Sequence, residues 1–438
     1  MVRKRRNSLL RVFLNGRSVG LLTRKSSGAI HFHYDHDWLS WEHALPVSLS
    51  LPLREDAYIG APVITFFDNL LPDNDTIRQQ IAGRIAAEGT DAFSLLSALG
   101  RDCVGALQFL DENTDEFKLK VINGAPVSDT QIGQVLGDLK AAPLGLDESE
   151  DFRISIAGAQ EKTALLRWNG NWYKPLGTTP TTHIFKPSIG QLPNGIDLSD
   201  SVENEYFCLK WCKALGLPSA NVEMAEFNGR KTLIVERFDR RWTLDGRLLR
   251  LPQEDCCQAL SVPWAIKYES HGGPGIKPIL DFLRASDTPT EDRRKFLMSQ
   301  IAFWLLAATD GHAKNFSVFL LPGGRFHLTP LYDVISAQPS LDKHQIQRNK
   351  MKLAMAVGKN RHWPIHEIMP RHFVQSAEMS GMGAKVVKDV FDEVIANADL
   401  STEIVISKLP VDFPEDLITS ISNGIKDRLD RIKKADAG

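Results

Sequence analysis

The run LLAATDGHAKNFSVFL, from Leu305 to Leu320, sets a tight condition on any fold this chain adopts. Ile301, Phe303, Trp304, Leu305 and Leu306 lie before its centre, and Phe316, Val318, Phe319 and Leu320 after it. Both flanks therefore read as buried elements. Between them stand an acid, an imidazole, an ammonium and an amide. A polar loop joining two buried elements is poor folding chemistry unless its groups meet at a site.

The spacing within and beyond that loop narrows the chemistry. Asp310 precedes Asn315 by five positions, and Asp333 follows after a hairpin, in PLYDVIS. Phosphoryl transfer needs a carboxylate base and separate oxygen ligands for Mg²⁺, which prefers hard donors. Protein kinases carry this same Asp-to-Asn spacing, with a metal-binding Asp one hairpin later. Asp-Gly is also a common turn dipeptide, and alone it would be read as one. The combination with Asn315, Asp333 and the apolar flanks favours a catalytic Asp310. His312 is expected to have a structural role, orienting Asp310 or bonding within the loop. Lys314 is expected either to contact a phosphate or substrate, or to reach solvent.

A nucleotide side is legible upstream. THIFKPSIG places Lys186 inside an apolar strand, where a cation is costly unless paired. The next helix carries Glu203 and Glu205, suited to steadying a lysine that reaches phosphates. The loop SIAGAQEK has neither the G-x-G-x-x-G nor the Walker pattern, but Ala157, Gly158 and Ala159 allow backbone amides close to a phosphate. LIVERFDR is expected to join two lobes, with backbone at Glu236 and Phe238 reading an adenine edge and Phe238 packing on the ring.

With 438 residues, the chain is too long for one ordinary core, so two or three subdomains are expected. Lys plus Arg total 52 against 54 acids, which excludes a generally nucleic-acid-coating or acidic-tail protein. The basic start Val2–Arg6 reads as a frayed terminus. No apolar run approaches the roughly 20 residues of a membrane helix, so the cytoplasm is the expected compartment. Five cysteines without a framework read as reduced thiols. His31 and His33 share a strand face and read as polar surface rather than as metal ligands.

The chain divides by periodicity. A hairpin about Asn15-Gly16 opens a β-rich unit over residues 1–145. Residues 146–255 alternate as strands around Asn169-Gly170 and Asn228-Gly229, with one helix over SVENEYFCLKWCKALG. Residues 256–438 show 3.6-residue spacing, broken by one β hairpin about Gly323-Gly324. The fold class expected is α+β: a β-rich N-terminal unit, a nucleotide-binding sheet, and a helical C-terminal lobe holding the catalytic loop.

Several blocks together resemble the HipA family of toxin–antitoxin kinases. They are RISIAGAQEKTAL, TTHIFKP, ENEYFCLKW, VERFDRRW, LPQED, KYESHGGPGI, ATDGHAKNFSVF and PLYDVISA, with FFDNLLPDN and GRDCVGAL nearer the start. The resemblance covers nearly the whole chain. It implies a protein-kinase-like, PI3K-related bilobal fold with an all-helical C-terminal lobe and an added N-terminal module. It implies Asp310 as general base, Asn315 and Asp333 as Mg²⁺ ligands, and ATP held by Lys186, Asp333 and the Ile156–Gly158 backbone. Ser155 would be the autophosphorylated serine whose loop is then ejected. The implied substrate is an aminoacyl-tRNA synthetase, glutamyl-tRNA synthetase in one branch, with growth arrest as the outcome. The implied partner is a HipB-like helix-turn-helix antitoxin, in a complex bound to operator DNA. A catalytically silent co-repressor scaffold and a small-molecule phosphotransferase are the alternatives; the intact Asp310, Asn315, Asp333 and Lys186 weigh against the first.

Overall fold

The computed structural model describes residues 8–117, 119, 122–146 and 152–436. The basic start Val2–Arg6 lies outside the described residues. The N-terminal unit is built on an antiparallel five-stranded sheet. Its strands Ser8–Leu14 and Arg17–Arg24 turn through Asn15 and Gly16, both at positive φ (49° and 85°), the backbone an Asn-Gly hairpin requires. Ile30–Tyr34 and Tyr58–Ile59 extend one edge, and Leu107–Asp111 pairs on the other side of the first strand. The helices Ala61–Asp68 and Ala92–Leu99 pack on this sheet.

The second sheet is also antiparallel. Its spatial order runs Val222–Phe227, Arg230–Glu236, His183–Pro187, Thr163–Trp168, Asn171–Pro175, Gly124–Pro126. The last strand and the helix Asp129–Asp138 precede residue 146, yet they belong to this sheet. Ile132, Leu136 and Leu139 share a small apolar cluster with Leu165, Phe185, Phe227 and Ile234. Residues 124–126 and 132–139 thus pack with the second sheet.

A buried ion cluster fastens the N-terminal unit to the link between the lobes. The Asp102 carboxylate accepts from Arg240 Nη2 at 2.8 Å, Arg250 Nε at 3.1 Å and Thr181 N at 2.9 Å. Asp239 pairs with Arg237 at 2.8 Å. Burial alone would raise the Asp102 carboxyl, but the guanidiniums of Arg240, Arg250 and Arg237 outweigh it and hold it well below the usual range.

The C-terminal lobe is helical, with two β inserts. Long helices at Pro289–Leu306, Ala384–Ile406 and Glu415–Asp436 pack together, and the first two also contact the helix Ser201–Ala214. The expected hairpin is present, Ser317–Leu321 with Arg325–Leu328, and it adds Gln253–Asp255 as a third strand. A second pair, Lys352–Val357 with His362–Pro364, departs from an all-helical lobe. KLAMAV gives no alternation to read, because all but its first residue are buried.

Candidate active site

The helix Pro289–Leu306 delivers the polar loop. It opens with Pro289 and the acids Glu291 and Asp292 in its first turn, which suit a helix N-terminus. It stops at Ala307, which sits left-handed at φ 54°. Gly311 then passes against the Phe303 ring; a Cβ there would lie 2.3 Å from the ring, so only glycine fits. His312 N donates to Asp310 O at 2.8 Å, and Asn315 N to His312 O at 2.9 Å. These bonds curl the loop so that Asp310 and Asn315 line one cleft.

That cleft, of about 320 Å³, lies between the second sheet and the C-terminal lobe. It is lined by Ile156, Ala157, Gly158, Lys186, Glu205, Glu236, Phe238, Asp310, His312, Lys314, Asn315 and Asp333. All were expected from sequence. Ser155, the remaining expectation, is fully buried behind the loop, its Oγ donating to Leu70 O at 2.8 Å.

Lys186 is the electrostatic centre. Its ammonium donates to Glu205 Oε1 at 2.7 Å and is also ion-paired with Asp333. Burial would lower this lysine, but Asp333 and Glu205 outweigh it and raise it above its usual value. Asp333 reaches the pair from a left-handed backbone at φ 60°, a strain that acidic and amide residues tolerate better than most. The nearby ammoniums of Lys186 and Lys162 outweigh its burial and hold its carboxyl far below the usual range. Two bonds between Asn204 and Ser336, of 2.8 and 2.9 Å, tie the lysine-bearing lobe's helix to the chain just beyond Asp333. Glu203, the other helix acid, faces away and pairs with Lys231.

Asp310 keeps an exposed edge within crowded walls. That crowding raises its carboxyl above the ordinary value, while a hydrogen bond donated by Tyr268 acts the other way. His312 is buried against the Tyr268 ring, and burial together with nearby Lys267 pushes it down to about 3. It is therefore a neutral imidazole. Lys314 does not reach solvent. Its ammonium is bound by Asn69 O and Oδ1, at 2.9 and 2.8 Å, and lies 3.2 Å from Asp255. Phe238 stands edge-on to Phe319 and tilted to Tyr332, lining the cleft beside Glu236.

Asn315 Oδ1 is buried and has no hydrogen-bond partner among the described residues. An orphaned acceptor in a cleft that the Asp333 carboxylate also lines is the kind of oxygen donor a hard divalent cation takes. Four further participants escaped the sequence reading. Lys162 is buried, donates to Ala157 O at 2.6 Å, and is lowered by burial to about 8. Tyr268, Lys267 and Asp73 also line the cleft. Lys162 stands in AQEK, Tyr268 and Lys267 in KYESHGGPGI and Asp73 in FFDNLLPDN, so their blocks were visible although their individual roles were not.

Residues 154–401 match the family described as HipA-like C-terminal domain, and residues 10–110 match HipA N-terminal domain. The putative kinase Y4mE of Sinorhizobium fredii is 37% identical over 357 residues, covering 80% of this chain and 81% of that one. The serine/threonine-protein kinase toxin HipA of Shewanella oneidensis is 30% identical over 341 residues, covering 74% and 72%. A solved chain from the Shewanella oneidensis complex of HipA, HipB and operator DNA has the same fold, with TM-score 0.79 at 24% identity over 97% of both chains. Among the described residues, no helix is long and apolar enough to cross a membrane.

Proposed function

The chain belongs to the HipA family, and from that premise we propose that it is a serine/threonine protein kinase toxin using ATP and Mg²⁺. The observation carrying this reading is the Lys186 ammonium joining Glu205 to Asp333 in the cleft that also holds Asp310 and the orphaned Asn315 oxygen. Unlike the arginine cluster that fastens the units, this ion pair lines an open cleft, which favours an enzyme over a catalytically silent scaffold.

In this reading the γ-phosphoryl group of ATP passes to a protein hydroxyl, ADP leaves, and the hydroxyl proton goes to the Asp310 carboxylate. Mg²⁺, held by Asn315 Oδ1 and Asp333, supplies charge neutralisation at the phosphates. Lys186 binds phosphate oxygens and is kept in place by Glu205. The backbone of Ile156, Ala157 and Gly158 covers the nucleotide. Glu236 and Phe238 hold the base at the link between lobes.

The substrate proposed is an aminoacyl-tRNA synthetase, glutamyl-tRNA synthetase first among them, with arrested translation and growth as the result. Self-phosphorylation at Ser155 is the proposed off-switch. Its hydroxyl is buried on Leu70, so the loop must leave before modification, and a phosphate of about −1.5 to −2 charge opposes its return beside ATP. A HipB-like antitoxin and, through it, operator DNA are the proposed partners, in the cytoplasm. A brief pulse of expression followed by phosphoproteomics tests the reading. New phosphoserine or phosphothreonine, absent with Asp310→Asn, is the expected result. Identical phosphorylation and growth arrest in both strains would refute the base assignment.

A further inference from the structure

We infer that the turn Asn69–Asp73, contributed by the N-terminal unit, is a third wall of the phosphotransfer cleft, and that Asp73 is a positioning residue for Lys267 and Lys314. The inference rests on the kinase reading above. Asp73 is buried at 9% exposure. Its Oδ2 accepts from Lys267 Nζ at 2.8 Å, and its Oδ1 lies 3.4 Å from Lys314 Nζ. That second oxygen has no hydrogen-bond partner among the described residues. One carboxylate thus faces two ammoniums, each of which belongs to the catalytic side.

Lys314 sits inside the loop, one residue before Asn315, and is also gripped by Asn69. Lys267 immediately precedes Tyr268, the residue hydrogen-bonded to Asp310. The backbone of Lys267 accepts from Ala313 N at 3.4 Å, which ties its segment to the loop. The same turn reaches the opposite jaw through its backbone. Asp73 N donates to Gly158 O at 3.3 Å, Pro72 and Gly158 form a parallel bridge, and Leu70 O receives the Ser155 hydroxyl. A single turn from outside the two lobes therefore touches both the phosphate-covering loop and the base-bearing loop.

The charge balance explains why the carboxylate matters. Lys314 retains Asp255 if Asp73 is neutralised. Lys267 has no second carboxylate partner among the described ion pairs, and it stands beside the residue that touches Asp310. Freed from Asp73, its ammonium loses its anchor, and the adjoining Tyr268, which bonds Asp310, is no longer held against the base. Lys162, also in the cleft, donates to Ala157 O, and Asp333 pairs with Lys186. A bond that merely glued the N-terminal unit in place would change stability and leave turnover alone.

The test uses the full chain with ATP, Mg²⁺ and the proposed acceptor, glutamyl-tRNA synthetase, following ADP formation against ATP concentration in Asp73→Asn and Asp73→Glu. The expected result for Asn is a kcat lower by about tenfold or more with KM for ATP changed by less than about threefold. Glu, which keeps the charge, retains at least about a third of the parent kcat. Parent-like kcat in Asp73→Asn, or equal losses in both variants, overturns the inference. If Asp73→Asn fails to fold, Lys267→Met carries the test: a fall in kcat at unchanged KM supports the inference and an unchanged kcat overturns it. The parent chain is measured first. No ADP from the parent defeats the kinase reading itself, whereas an active parent with indifferent variants defeats only the role of Asp73.

Discussion

The phenol of Tyr268 donates a hydrogen bond to the carboxylate of Asp310, while its ring stands edge-on to His312 with centroids 4.8 Å apart. The proposed base therefore meets a hydroxyl of its own chain, in the relation a substrate hydroxyl needs. This bond favours the charged carboxylate, against the burial that raises it.

Replacing Tyr268 by Phe removes that hydrogen bond and keeps the ring. The Asp310 carboxyl then rises further, so the acid limb of the pH–rate profile moves to higher pH. Rates of ADP formation across the acid range check this. An unmoved limb would mean the phenol does not act on the base.

Lys186→Met leaves Glu205 and Asp333 facing each other without their shared cation. Breaking a buried pair on one side costs about 3–5 kcal/mol. Chemical denaturation should show a loss of that order, and titration with ATP and Mg²⁺ should show weakened binding. A variant as stable as the parent would contradict the pairing.

Ser155→Asp brings a charge to a hydroxyl that is fully buried on Leu70. An uncompensated buried charge is expelled rather than accommodated. The loop then leaves its seat, and calorimetric titration should report weaker affinity for ATP with Mg²⁺. Parent-like affinity would count against the switch.

Glu254 carries the clearest pH signature. It is buried between Ser48 Oγ at 2.5 Å and Leu49 N at 2.8 Å, joining the N-terminal unit to the strand Gln253–Asp255. Burial pushes its carboxyl from 4.5 up to about 8 despite those bonds. The folded chain thus binds more protons than the unfolded one within that window. Its contribution is complete below 4.5 and falls as pH rises towards 8, with a limiting slope of about 1.4 kcal/mol per pH unit. Melting temperatures at pH 5, 6.5 and 8 should fall less steeply for Glu254→Gln than for the parent.

Much of the fold was legible because it rests on local signals. Asn-Gly at positions 15, 169 and 228 marks three hairpins, and all three asparagines adopt positive φ. The pair Lys352–Val357 with His362–Pro364 was not legible, since a strand buried on both faces loses its alternation. Glu205 was readable as the partner of Lys186 because strand and helix are neighbours in sequence. Asp73 was not, because nearly two hundred residues separate it from Lys267.

Residue order alone determined the chemistry on offer: the Asp310–Asn315 spacing, a lysine committed to an apolar strand, and small residues from Ala157 to Ala159 that let backbone approach a phosphate. Local periodicity and turn chemistry carry that information without reference to distant chain. Tertiary structure alone decided which charges meet. It set Lys314 on Asn69 rather than in solvent, turned Glu203 towards Lys231, and placed one N-terminal carboxylate against two lysines of the catalytic side. Buried ammonium groups require a counter-charge, and which one reaches them depends on long-range packing that no short stretch of sequence encodes.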